Sequence, residues 1–108
     1  MSTAKEIMSM VGERLAANKE AAAAIGAVYK FVLDGDGGGT WIMNLKDNVG
    51  VTSGDGNADC TLSLSAENGV ALFEGTVSGE QLFFSNQLRV EGDMSLALRL
   101  QSLLAIVR

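Results

Sequence analysis

Histidine and proline are both missing from the 108 residues, and cysteine occurs once, at Cys60. Without histidine there is no Ser-His-Asp or Cys-His catalysis, and most zinc sites are excluded. A single cysteine rules out an intrachain disulfide and favours a reducing compartment. Without proline, helix ends fall to glycine and polar caps. No apolar run approaches the roughly 18 residues of a membrane span. The opening Met-Ser-Thr-Ala-Lys-Glu-Ile-Met is too polar for a secretory leader, and the closing Ala-Ile-Val-Arg is not a peroxisomal address. A cytoplasmic location is the expectation. Bases are few, eight Lys and Arg against 13 Asp and Glu, for a net charge of −5. That argues against nucleic acid, whose phosphates need clustered positive charge. No nucleotide-binding motif is present, since the glycines at 35–39 lack a dinucleotide fingerprint. No cofactor is expected.

What is present is apolar. Hydrophobic residues make up 47% of the chain, enough to offset chain entropy in one domain spanning residues 1–108. The mean hydropathy of +0.21 is high for so small a domain, whose surface is large for its volume. Some apolar surface therefore faces a cavity, a ligand or another subunit. Charge is uneven as well. Lys5, Arg14, Lys19 and Lys30 outnumber Glu6, Glu13 and Glu20 in the first thirty residues, and the acidic excess lies beyond them. The first helix is thus the segment least repelled by an anionic membrane surface, with which transient contact is an expectation. A solvated helix face explains the same charges equally well.

Thr3 and Glu6 have capping-box spacing, and Ile7, Val11 and Leu15 follow at helical intervals, predicting a helix over 4–24 that Gly26 ends. Periodicity then becomes twofold. Ala27, Tyr29, Phe31 and Leu33 form one face of a strand, Trp41, Met43 and Leu45 of a second, and Cys60, Leu62 and Leu64 of a fourth. Val49-Gly-Val51 is a short third strand between them. Gly-rich turns join these four strands, which read as an antiparallel meander. Ser65 can cap a helix containing Val70, Leu72 and Phe73. Ser78 and Gln81 have capping-box spacing before Leu82, Phe83 and Phe84. Residues 87–91 form a fifth strand, and Asp93 caps a last helix. The expected class is α+β: about five mainly antiparallel strands with helices packed on one face.

Two Asp-rich turns invite a calcium reading. Asp34-Gly-Asp36 continues with glycines, and Asp55, Asn57 and Asp59 are followed by Cys60 and, later, Ala66 where an EF-hand needs Gly and Glu. Plain hairpin turns favour the same residues, and no metal is expected. Cys60 lies on the apolar face of its strand, where a small core residue is expected instead of a nucleophile.

The last helix is the most unusual segment. Leu96, Leu100, Leu103, Leu104 and Val107 form an apolar stripe that Met94, Ala97, Leu98 and Ile106 widen. The stripe has three readings: core packing, the wall of a partly unfilled space, or a docking face for a partner or a second copy. Gln101 at its edge is either a ligand anchor or an ordinary surface residue.

Taken in order, several stretches resemble the sterol carrier protein family of non-specific lipid-transfer type. Ala27-Val-Tyr-Lys-Phe31 is similar to the family's first strand, and Gly38-Gly-Thr-Trp41 with Asn44-Leu-Lys46 to its second. Asp59-Cys-Thr-Leu-Ser-Leu-Ser65 and Leu72-Phe-Glu-Gly75 resemble the strand before the middle helix and that helix's end. Leu88-Arg-Val-Glu-Gly-Asp-Met94 and Leu96-Ala-Leu-Arg-Leu-Gln101 resemble the closing strand and helix. Ser78-Gly79 stands where family members often have Asn-Pro. The resemblance implies an apolar tunnel between sheet and helices that takes a fatty acid, fatty acyl-CoA or sterol-like molecule, and it implies no catalysis. The expected lining residues are Phe31, Trp41, Met43, Leu62, Phe73, Phe83, Leu96, Leu100 and Leu103, with Gln101 as polar anchor. A monomer or weak homodimer is expected.

Overall fold

A computed structural model describes residues 3–107. The chain opens with α1 (Ala4–Ala17) and α2 (Lys19–Ala23). It continues through β1 (Ala27–Asp34), β2 (Gly39–Leu45), β3 (Gly50–Ser53) and β4 (Cys60–Ser65). Then come α3 (Ala66–Glu74), α4 (Gly79–Phe84), β5 (Leu88–Gly92), α5 (Met94–Leu98) and α6 (Leu100–Val107).

Local chemistry sets most of these boundaries. The Thr3–Glu6 and Ser78–Gln81 capping boxes both form, and Ser65 accepts from Asn68 N–H. Asp93 accepts from Ser95 N–H at 3.0 Å to start α5. Gly75 closes α3 in the left-handed region, at φ 85°. Two predicted helices are each broken in two. The first divides at Asn18, whose side-chain amide donates to the Arg14 carbonyl at 2.8 Å and draws the backbone out of helical geometry;. The last divides at Arg99. There the Leu96 carbonyl, the acceptor a continuous helix would give to Leu100 N–H, takes Arg99 N–H at 3.1 Å and the Tyr29 hydroxyl.

The sheet order is β3-β2-β1-β4-β5. β1 pairs antiparallel with β2, β2 with β3, and β4 with β5, whereas β1 and β4 run parallel. The sheet is mostly antiparallel, as expected, but its first four strands are not a meander. Alternation of side chains fixes which face a strand buries and says nothing about which strand lies beside it. β4 settles next to β1, bringing Leu62 level with Phe31 and Leu64 level with Leu33.

To get there, residues 54–59 cross the helix-free face over β2 and β1. Gly56 lies against Ile42, so that a Cβ there would sit 3.5 Å from Cγ1. Lys30 Nζ reaches Asp55 Oδ1 at 3.0 Å and the Gly56 carbonyl at 3.4 Å. Asp59 Oδ2 accepts from Val28 N–H at 3.0 Å. Asp55 and Asp59, candidate calcium ligands by spacing, thus hold a strap on the sheet.

The other face of the sheet is apolar and covered. Trp41, Phe31, Leu62 and Val90 form one cross-strand row, and Met43, Tyr29 and Cys60 the next. α1 lies over β3 and between α3 and α6. Helices approach the sheet at two glycines, tightly at the second. Gly12 of α1 faces Val51, where a Cβ would be 3.9 Å from the valine Cβ. Gly69 of α3 faces Leu33, where a Cβ would be only 2.8 Å from Cδ2.

Candidate functional site

Eight of the ten predicted site residues meet in one interior. Phe31, Trp41, Met43 and Leu62 project from three adjacent strands onto the covered face, and all four are buried. Phe73 of α3 meets Phe31 edge-on, with ring centroids 5.3 Å apart. This geometry suits the aromatic quadrupoles better than a face-to-face stack. Leu96, Leu100 and Leu103 close the far side and belong to the same buried cluster. Among the described residues the interior buries no charged side chain.

Two predicted residues stand outside it. Phe83 is 43% exposed. Gln101 is exposed on the first turn of α6. The break at Arg99 accounts for the second case, because a continuous apolar stripe was the reason for placing Gln101 at the interior's edge. The break also decides between readings of the last helix. Leu100, Leu103, Leu104 and Val107 are buried inside the molecule, with α1 and α2 beside them, so this stripe is not a free docking face.

Tyr29 was not singled out by the sequence, although it sits in phase with the apolar face of β1. It is fully buried, and its hydroxyl donates to the Leu96 carbonyl. Burial pushes this hydroxyl up to about 12, with Cys60 acting in the same direction, Arg99 opposing and Asp93 adding to the rise. Burial likewise raises the Cys60 thiol, which disfavours the thiolate a nucleophile needs;. Arg99 Nη1 donates to the Ile25 carbonyl at 2.8 Å. Together with the Asp93 N–H bond to the Asp59 carbonyl at 3.0 Å, these contacts latch α5 and the start of α6 over the sheet.

α4 meets α6 and α3 at Gly79. A Cβ on Gly79 would lie 3.2 Å from Leu100 Cδ2 and 4.0 Å from Leu72 Cδ1. One turn on from Gly79 is Phe83, and two residues before Leu100 is Leu98. Phe83, Phe84, Met94 and Leu98 are the exposed large hydrophobic residues among those described. By contrast, α1 turns Ile7, Met8, Val11 and Leu15 inward and leaves Lys5, Glu6, Glu13 and Arg14 outside. A separate shallow depression of ≈ 380 Å³ lies between α2 and the β2–β3 turn. It is lined by Lys19, Glu20, Ala23, Lys46, Asp47, Asn48 and Val49 and lies apart from the buried cluster.

An open, mostly antiparallel five-stranded sheet with helices over an apolar interior, to which both layers contribute, defines a two-layer α+β domain;. The chain belongs to the SCP-2 sterol transfer family, whose model matches residues 9–105. Sterol Carrier Protein 2 from Yarrowia lipolytica, in its apo form, superposes with a TM-score of 0.81 and 25% identity, covering 94% of this chain and 88% of that one. Sterol Carrier Protein-2 from Aedes aegypti, solved in complex with the C16 fatty acid palmitate, superposes with a TM-score of 0.79 and 24% identity over the whole of both chains. Hydroxysteroid dehydrogenase-like protein 2 of Bos taurus is 37% identical over 81 residues, which are 72% of this chain and 19% of that protein. The chain thus spans about a fifth of the length of the curated relatives it matches.

Proposed function

We propose that the chain is a non-catalytic carrier that binds and transfers a lipid with a long hydrocarbon chain. The observation that carries this reading is the convergence of Phe31, Trp41, Met43, Leu62, Phe73, Leu96, Leu100 and Leu103 in one buried, uncharged interior. The palmitate complex of the Aedes aegypti relative supports an acyl chain as the guest. Transfer of each methylene from water contributes about 0.8 kcal/mol, so affinity grows with chain length until association costs and the length of the interior limit it. Gln101, exposed beside Leu100, reaches a head group left at the surface. The absence of histidine and the burial that raises the Cys60 thiol support the non-catalytic reading.

Native mass spectrometry of freshly purified protein should show a lipid as added mass, and a fluorescent C16 fatty acid should bind with saturation. Leu100→Arg, which puts a guanidinium into the buried cluster, should weaken that binding at least tenfold in protein that circular dichroism shows to be folded. No binding by the wild type, or equal binding by a folded Leu100→Arg protein, overturns the assignment.

A further inference from the structure

β5 is an edge strand, so among the described residues one side of its backbone has no neighbour in the sheet. On the other side Leu62 pairs with Val90 and Thr61 with Glu91. The pairing runs on past the end of β5, where Asp93 N–H donates to the Asp59 carbonyl at 3.0 Å. Backbone groups of an antiparallel pair alternate in direction along the strand. Arg89, Glu91 and Asp93 therefore turn their N–H and C=O groups toward β4, and Leu88, Val90 and Gly92 turn theirs outward. Side chains alternate as well. Leu88 and Val90 pack on the core, while Arg89 and Glu91 are exposed on the helix-free face. Their neighbours across the ladder are Ser63 and Thr61. Among the described residues neither makes an ion pair within the chain.

From this pattern we infer that the protein self-associates, with β5 pairing antiparallel to β5 of a second copy about a two-fold axis at Val90. Charge selects both the occupant and the register. With Val90 opposite Val90 of the second copy, the whole of β5 overlaps and Arg89 faces Glu91 in both directions. The outward N–H and C=O of Val90 then exchange hydrogen bonds with their counterparts. Centring the pair on residue 89 sets Arg89 against itself, and centring it on residue 91 sets Glu91 against itself; like charges directly opposite are destabilising. In-register parallel pairing brings both repulsions. Edge charges ordinarily discourage pairing, but here they repel in these registers and attract in one. A pattern that is its own complement favours a second copy over an unrelated extended peptide. The other edge strand, β3, carries no charge from Gly50 to Ser53. Because β5 is short and exposed charge pairs contribute little, the association is weak: the charges fix the register and the main-chain bonds join the sheets. The two sheets become one, with both helical layers on the same side, whatever the interior holds.

Sedimentation equilibrium of the full chain from about 10 µM to about 1 mM covers the range expected of a weak contact. Wild-type protein should shift from monomer toward dimer across it. Amide exchange at Val90 should slow with concentration, while the amides of Arg89 and Glu91, already turned to β4, should not change. Arg89→Glu alone and Glu91→Arg alone should each weaken self-association roughly fivefold or more, since each sets like charges opposite one another. An equimolar mixture of these two proteins should associate again, because every pair in the mixed dimer is then opposite in charge. The double substitution Arg89→Glu/Glu91→Arg should restore self-association to within about threefold of wild type. A wild type that stays monomeric at the highest concentration overturns the proposal. So do a dimer that both single substitutions leave unchanged, a dimer whose Val90 exchange ignores concentration, and single substitutions whose loss neither the mixture nor the double substitution repairs.

Discussion

Tyr29 joins the centre of the sheet to the segment that closes the interior. Its hydroxyl reaches from β1 to α5 and ends on the carbonyl at which the last helix breaks. The ionisation of this group ties stability to alkaline pH. In the unfolded chain the proton leaves near 10, whereas in the fold it stays until about 12. Between these values the unfolded state binds fewer protons, so stability is full below about 10 and falls as pH rises through the window, by on the order of 2 kcal/mol. Tyr29→Phe should cost about 1 kcal/mol at neutral pH through the lost hydrogen bond, and it should flatten the alkaline loss relative to the wild type. Urea denaturation of both proteins at pH 8, 10 and 11.5 measures the two effects. Parallel declines would detach Tyr29 from the alkaline transition. Gly92 shows a different constraint. Its φ of 95° and its place against Asp59, where a Cβ would lie 2.6 Å from the carbonyl oxygen, leave no space for a side chain at the joint between β5 and α5.

Among the elements, α5 and the start of α6 are latched by the Arg99–Ile25, Asp93–Asp59 and Tyr29–Leu96 bonds, so removing one of these bonds tests how the cover is held. Arg99→Ala removes the bond to the Ile25 carbonyl and should speed amide exchange across α5 and the first turn of α6 by roughly three- to tenfold, equivalent to about 1 kcal/mol, with β1 and β4 unchanged. Uniform acceleration across the sheet would mean that the arginine supports the whole fold and not the cover. The sequence showed this level unevenly. Thr3, Ser65, Ser78 and Asp93 announced helix starts because a cap is a local event among neighbours in the chain. Phe31, Trp41, Met43 and Leu62 were legible as one face because a strand alternates with period two. The parallel β1–β4 pairing was not, since it depends on residues about thirty positions apart. The breaks at Asn18 and Arg99 were hidden by apolar and alanine-rich stretches that read as continuous helix. Phe83 was grouped with the interior by its type alone, and only the short α4 shows that it reaches the surface.

For the molecule as a whole, a guest inside the apolar interior should raise stability by mass action. A fatty acid at a hundred times its Kd adds about 2.7 kcal/mol. Thermal denaturation should therefore shift upward by roughly 10 °C or more in a domain of this size. An unchanged midpoint at saturating C16 fatty acid would argue that the ligand sits on the surface or binds the unfolded chain as well. The strap of residues 54–59 has a consequence of its own, for the order in which the chain assembles. α1, α2 and the β1–β2–β3 hairpins lie before it, and β4 with the remaining helices lies after it. The two halves share no strand pairing except β1 against β4. Loop closure across the strap must therefore be met before that central ladder can form. The cover, whose Leu96 carbonyl takes its bond from Tyr29 on the first half, can lock in place only after the halves have joined.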